Sequence, residues 1–352
     1  MLSAISTLAS RTFIIGFFLP TVLGVSTAMF LLGDPAQVVD LLKDAKDQTA
    51  SLLLLVGCIW LLSILLTIIN QVIYRCLEGY YPPLSWRTRT KDRFGEYIEK
   101  LRAEARALDA KIDTGDPQSE DARRHDRILL EIASMPPAAD KMLPTRFGNA
   151  IRAFELYPNE VYGADGVSLW LHAASVAPSP LLETVADARA VVDFMVNCAL
   201  FSLSIALALI AQASYQLQYR PIVAALRAND SKEFINLIHW SSLGLSLAAM
   251  VSAYLFYLAA VALIPAWGQA VKACFDIGLP ELAKKLGFEL PSTESERQKF
   301  WLEFSQTVAY RTRLDRSTIM LAENWLPAKS TPSRGIFLRI WKWLGGDLKS
   351  EE

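Results

Sequence analysis

Four stretches of this chain are too long and too apolar to be ordinary core elements of a water-soluble domain: residues 12–32, 51–74, 191–213 and 241–264. Crossing a hydrocarbon layer of about 30 Å takes about 20 apolar residues in helix. No lipid-exposed backbone amide there can be left without a partner, so a spanning segment of this kind must be helical. The second run is the clearest, since LLLLVGCIWLLSILLTII holds no charge. The expected fold is therefore all-α: an integral membrane protein with about four transmembrane helices, a helical insert and a helical C-terminal region. Pro20 is expected to kink or loosen the first span. Arg11 ahead of an apolar run imitates a secretory signal, but the run is longer than a signal core and no small-x-small site follows it, so it reads as a retained helix.

Charge is segregated between these runs rather than missing. The chain has 35 Lys and Arg against 36 Asp and Glu, a net charge of −1. Such a balance argues against a nucleic-acid-binding surface, which needs net basic character. Cys58, Cys76, Cys198 and Cys274 are scattered and give neither a disulfide framework nor metal-ligand spacing. The chain divides into a transmembrane hairpin (1–82), a helical insert (83–190), a second transmembrane hairpin (191–264) and a helical tail (265–352).

Orientation follows from the basic residues beside each span. Arg11, the group Arg75, Arg87, Arg89, Lys91 and Arg93, and the group Lys272, Lys284 and Lys285 place both termini and the insert in the cytoplasm. The acidic first loop, with Asp34, Asp40, Asp44 and Asp47, agrees, while Arg220, Arg227 and Lys232 between the third and fourth spans run against the rule.

Within the insert, Phe94, Ile98, Leu101, Ala105, Leu108 and Ile112 form a heptad seam on a charged helix. A break at Thr114-Gly115-Asp116-Pro117 and a second helix through Ile128, Leu129 and Ile132 predict an antiparallel hairpin, with an intermolecular coiled coil as the competing arrangement. Pro144 and Thr145 look like a helix start, with Phe147, Ile151, Phe154 and Tyr157 on one face. After Pro180, LLETVADARAVVDF reads as one helix running into the third span. Pro265 marks an exit from the fourth span. A separate amphipathic helix on Val271, Phe275 and Leu279 is expected to be broken at Pro280, and a further helix begins near Ser292 and carries Phe300, Trp301, Phe304 and Val308.

The stretch Leu143-Pro144-Thr145-Arg146-Phe147-Gly148-Asn149, followed by Tyr157-Pro158 and Tyr162-Gly163-Ala164-Asp165, resembles bacterial polytopic membrane proteins of unassigned function. The similarity includes YRCLEGYYP, residues 74–82, and the same layout over most of the chain. It implies architecture and a bacterial inner-membrane setting, and brings no activity.

No metal, nucleophile or phosphate-loop motif is present, and His125, His172 and His239 lie in separate segments, so no catalytic residue, metal or cofactor is assigned. Arg146, Asn149, Arg152 and Glu155 fall on neighbouring turns, with Asp165 near in sequence; they are expected to form a buried ion-pair network or to bind an anionic head group. Asp193 and Asn197, one turn apart at the mouth of the third span, begin a polar and small-residue stripe through Ser204 and Ala208. That stripe is expected to pack on Gly244, Ala248 and Ser252 of the fourth span, or to line a water path. Asn70-Gln71 and Tyr74 to Pro82 read as interfacial anchors. In the tail, Phe337 and Trp341 with Arg339 and Lys342 predict a short amphipathic helix on the membrane surface. The expected role is a non-enzymatic scaffold or signal-responsive component that self-associates and meets a cytoplasmic protein partner, with the bilayer as its constant partner. The alternatives are an oligomeric channel or membrane-perturbing effector and a lipid-directed enzyme or transporter.

Overall fold

The structure, a computed structural model, describes residues 10–33, 49–112, 120–216, 240–312 and 320–321. Its helices are α1 (Arg11–Leu32), α2 (Thr49–Glu78), α3 (Thr88–Ile112), α4 (Glu120–Ala133), α5 (Arg146–Tyr162), α6 (Gly166–Ala174), α7 (Ser179–Gln216), α8 (Trp240–Leu286) and α9 (Glu294–Tyr310). Among the described residues the strands are β1 (Phe288–Glu289) and β2 (Met320–Leu321), paired antiparallel with Phe288 opposite Leu321. The all-α class follows. Four helices, α1, α2, α7 and α8, are long and apolar enough to cross a membrane, and their outward faces carry the large exposed apolar side chains. The chain is a multi-pass membrane protein.

Helices α7 and α8 form the spine. Ser246 donates its hydroxyl to the Ala206 carbonyl at 3.1 Å, while Val192 and Val196 share a core cluster with Ala260 and Ile264, so the two helices run antiparallel. Against α7 lies α1, and α2 turns Ile59, Ser63, Leu66, Asn70 and Tyr74 inward, all buried at spacings of three or four, with Leu66 among Phe13 and Phe17 of α1. Gly24 makes room for the ring of Phe201 between α1 and α7.

Beyond the spans, the same two helices continue as the frame of an extramembrane module. One core cluster joins Val192 and Ile264 to Phe147, Ile151 and Phe154 of α5, Leu169 of α6, and Phe300, Trp301 and Phe304 of α9. Helices α3 and α4 form the expected intramolecular hairpin on Leu101, Ala105, Leu108 and Ile128. Its seam reaches back to Gly95, which is buried against Ala139, whereas Phe94 is only half-buried.

The expected exit at Pro265 and break at Pro280 do not occur: α8 is one helix of 47 residues with both prolines inside it. An interior proline costs about 3 kcal/mol. Past Pro265 the helix buries Val271, Phe275, Leu279 and Leu282 on one face, each worth about 1.5–3 kcal/mol, so burial outweighs the two prolines. Likewise α7 is unbroken over 38 residues. The divisions drawn at 190/191 and 264/265 therefore fall inside continuous helices.

Candidate functional site at the base of the spans

The site begins with a missing hydrogen. Pro20 has no N–H to give the Gly16 carbonyl four residues back, and around it α1 relaxes into a π turn over Ile14–Phe18. The Gly16 oxygen accepts instead from Nδ2 of Asn197, at 2.8 Å. Glycine suits that contact, because a Cβ at position 16 would stand a tight 3.1 Å from Asp193 Cβ and 3.4 Å from the Ala190 carbonyl oxygen.

One turn before Asn197, Asp193 Oδ1 accepts from the Tyr74 hydroxyl at 2.7 Å and from Asn70 Nδ2 at 3.1 Å. Its Oδ2 lies 3.7 Å from Arg189 Nε, a further turn back on α7. Asp193, Asn197, Asn70 and Tyr74 are each 5 % exposed or less. A buried carboxylate in a membrane helix is tolerable only when it is paired and hydrogen-bonded, and here three spans contribute to one polar node. The Tyr74 ring meets Phe147 and Trp267 edge-on, at centroid distances of 5.3 and 6.4 Å, which ties the node to the module. Oδ1 of Asn70 and Oδ1 of Asn197 find no hydrogen-bond partner among the described residues. Beside the node lies a cavity of about 570 Å³ lined by Phe13, Asn70, Trp170, Val185 and Arg189. The chemistry available is hydrogen bonding around a buried carboxyl group.

The residues singled out around Arg146 do not gather into one network. Asn149 is consumed by the backbone: its Oδ1 accepts from Leu143 N at 2.6 Å and its Nδ2 donates to Leu143 O at 3.0 Å. Arg152 and Glu155 pair with each other at 3.7 Å, both about one-third exposed. Burial still pushes the Glu155 carboxyl up, with Arg152 opposing. Asp165 caps α6, accepting from Val167 N at 2.8 Å and Ser168 N at 3.0 Å, while its own N–H goes to Ser305 Oγ at 2.9 Å. Arg146 is exposed and lines a second cavity, of about 580 Å³, between the α3–α4 hairpin and the α5–α8 wall. Arg146 and Asn149 both line that cavity, but Asn149 is buried and spent on the Leu143 backbone, whereas Arg146 is exposed.

The stripe expected through Ser204 also turns away. Ser204 is exposed and returns its hydroxyl to the Leu200 carbonyl at 2.8 Å, which satisfies it without a neighbouring helix. Gly244 and Ala248 face outward too, with nothing within 4 Å of a Cβ built at Gly244; Ser246 is the residue that meets α7. Phe337, Arg339, Trp341 and Lys342 lie outside the described residues.

Sequence reasoning took Asn70 and Tyr74 for interfacial anchors and missed that they complete the Asp193 node. The available signal was a polar pair four residues apart at the end of an apolar run, facing Asp193 and Asn197 at the same spacing. The structure also gives the two similar stretches a shared place. Thr145 Oγ1 donates to the Leu77 carbonyl at 2.7 Å while accepting from Gly148 N at 2.9 Å, and Gly148 lies directly on the Glu78 backbone. Gly79, at φ +92°, makes the turn beside Pro144. LPTRFGN and YRCLEGYYP are thus two faces of one joint. Farther along α5, the hydroxyls of Tyr157 and Tyr162 both donate to Asp276 Oδ1 at 2.8 Å. Burial, then Asp276, pushes both phenols up.

No protein-family model, curated protein or solved structure matches the chain.

Proposed function

We propose that the protein is a non-enzymatic scaffold or signal-responsive component of a bacterial inner membrane, with its helical module and both termini in the cytoplasm. One observation carries this reading: α7 and α8 pass from the lipid-facing bundle into the core of the module as unbroken helices, and the Asp193 node fastens α1 and α2 to the same spine. A displacement at either end is therefore carried to the other by packed helix rather than by linker. The module would present itself to a cytoplasmic protein partner in a fixed pose relative to the bilayer.

Spin labels at Leu207 and Leu302, both exposed and on opposite sides of the joint, test the coupling in nanodiscs. A single narrow distance distribution is expected. A broad one would remove the rigid spine on which the proposal rests. Reporter fusions at residues 110 and 303 should read cytoplasmic, and a periplasmic reading at either overturns the orientation.

Self-association is a second reading, favoured by the outward placement of Gly244 and Ala248, small residues that let a second helix approach closely. Mass measurement in mild detergent decides it: a ring of four or more subunits supports an oligomeric channel, and a monomer removes it.

A further inference from the structure

The cavity beneath Arg146 is assigned no part in the scaffold reading, yet it is composed like a binding site. Arg93 of α3 and Arg146 of α5 both line it, and neither makes an ion pair among the described residues. Thr90 adds a hydroxyl. The one carboxylate on the wall, Glu131, already accepts the Tyr97 hydroxyl through Oε1 at 2.6 Å. The cavity is therefore net basic, with two planar guanidinium forks, which suit a phosphate better than a single carboxylate.

Its opposite wall is apolar and belongs to a membrane span. Val261 and Pro265 of α8 line the cavity. Val261 lies near the module end of the apolar run 241–264, the part of α8 that reads as the fourth span. Tyr257, one turn back, is half-buried, a placement suited to the interface. Basic groups and a hydroxyl on one side and an apolar wall at the module end of a span on the other describe the surroundings of a phosphoglycerol headgroup.

We infer that the Arg93–Arg146 cavity binds the phosphate ester of an anionic membrane lipid, with the acyl chains running along the Val261 face of α8. The inference stands independently of the scaffold reading.

Full-length protein, delipidated in neutral detergent, is titrated with phosphatidylglycerol, phosphatidylcholine and soluble glycerol phosphate, and bound ligand is counted by native mass spectrometry. Wild type should hold phosphatidylglycerol at least tenfold more tightly than phosphatidylcholine. The pair Arg93→Gln and Arg146→Gln should erase that preference, whereas Arg123→Gln with Arg127→Gln, on the outer face of α4, should leave it intact. Val261→Trp, which fills the apolar side without touching charge, should also weaken phosphatidylglycerol binding and guards against a folding defect in the arginine pair. Preference for phosphatidylglycerol over glycerol phosphate identifies a lipid as the source; equal binding of the two identifies a soluble phosphate ester and overturns the lipid assignment. Unchanged phosphatidylglycerol binding in the arginine pair, or equal loss in the α4 control, overturns the site itself.

Discussion

Replacing Asp193 by leucine removes the acceptor of two buried donors, the Tyr74 hydroxyl at 2.7 Å and Asn70 Nδ2 at 3.1 Å, and leaves Arg189 without its carboxylate. Hydrogen bonds between membrane helices are worth about 0.6 kcal/mol on average and up to about 1.7 kcal/mol. A buried donor left unpaired adds about 1–3 kcal/mol. Leucine returns some apolar contact, so Asp193→Leu is expected to cost about 2–4 kcal/mol, and Asp193→Asn, which keeps an acceptor, about 1 kcal/mol. Insertion should be unaffected, because the span becomes more apolar. Tyr74→Phe removes one of the two donors, so in its background the Asp193→Leu loss should shrink by about 1 kcal/mol, a coupling that two independent sites would not show. Steric trapping or reversible detergent unfolding at one fixed pH measures wild type, the three single variants and the double variant. If Asp193→Leu is as stable as wild type, or if the two substitutions add within about 0.3 kcal/mol, the node does not hold the spans together.

Further expectations rest on the joint and on the module. Gly148→Ala would place a Cβ 2.5 Å from the Glu78 carbonyl oxygen, a backbone atom that cannot step aside, and should lower thermal stability sharply; Gly57→Ala, with nothing within 4 Å, should be neutral or slightly stabilising in the same assay. Tyr157 and Tyr162 are held protonated by burial and by Asp276, so their contribution is complete below the ordinary tyrosine range and is lost as pH rises through their elevated folded values; absorbance titration should show late-ionising tyrosines that Asp276→Asn brings back toward the ordinary range. The Glu155 carboxyl is raised by burial, so ionising it costs stability above its folded value and that cost vanishes below the ordinary Glu range; Glu155→Gln should therefore not destabilise at neutral pH, and a loss above about 1 kcal/mol would show the Arg152 pair to be stronger than its exposure allows.

The spans were legible in the sequence because an uncharged run of the length of residues 52–69 has few other solutions, and the α3 seam because its apolar residues stand out from charged neighbours. Uniformity hid the rest. Along α2 nearly every side chain is apolar, so periodicity could not say which face turns inward, and only Ser63, Asn70 and Tyr74 mark it. The stripe projected from Asp193 through Ser204 failed for a related reason: a serine that bonds its own helix carries no information about its surroundings. Pro265 and Pro280 misled because local backbone preference was weighed without the module packed against that part of α8, which exists only in the tertiary structure. The Arg146 group shared turns of one helix but not one environment, since Asn149 is bound to Leu143 and Asp165 to the start of α6.

The π turn in α1 has a mechanical consequence. Because Pro20 surrenders its place in the helix ladder, the freed Gly16 oxygen becomes a latch for Asn197, and only one axial alignment of α1 against α7 lets it close. Sliding the two helices past each other by a single turn would open the latch and drive the Asp193 side into the next residue of α1, which is not glycine. Farther along the spans the Phe201 ring of α7 fills the place that Gly24 leaves on α1, so the same alignment is fixed a second time. A change in bilayer thickness would therefore be met by tilting α1 and α7 together rather than by sliding one along the other.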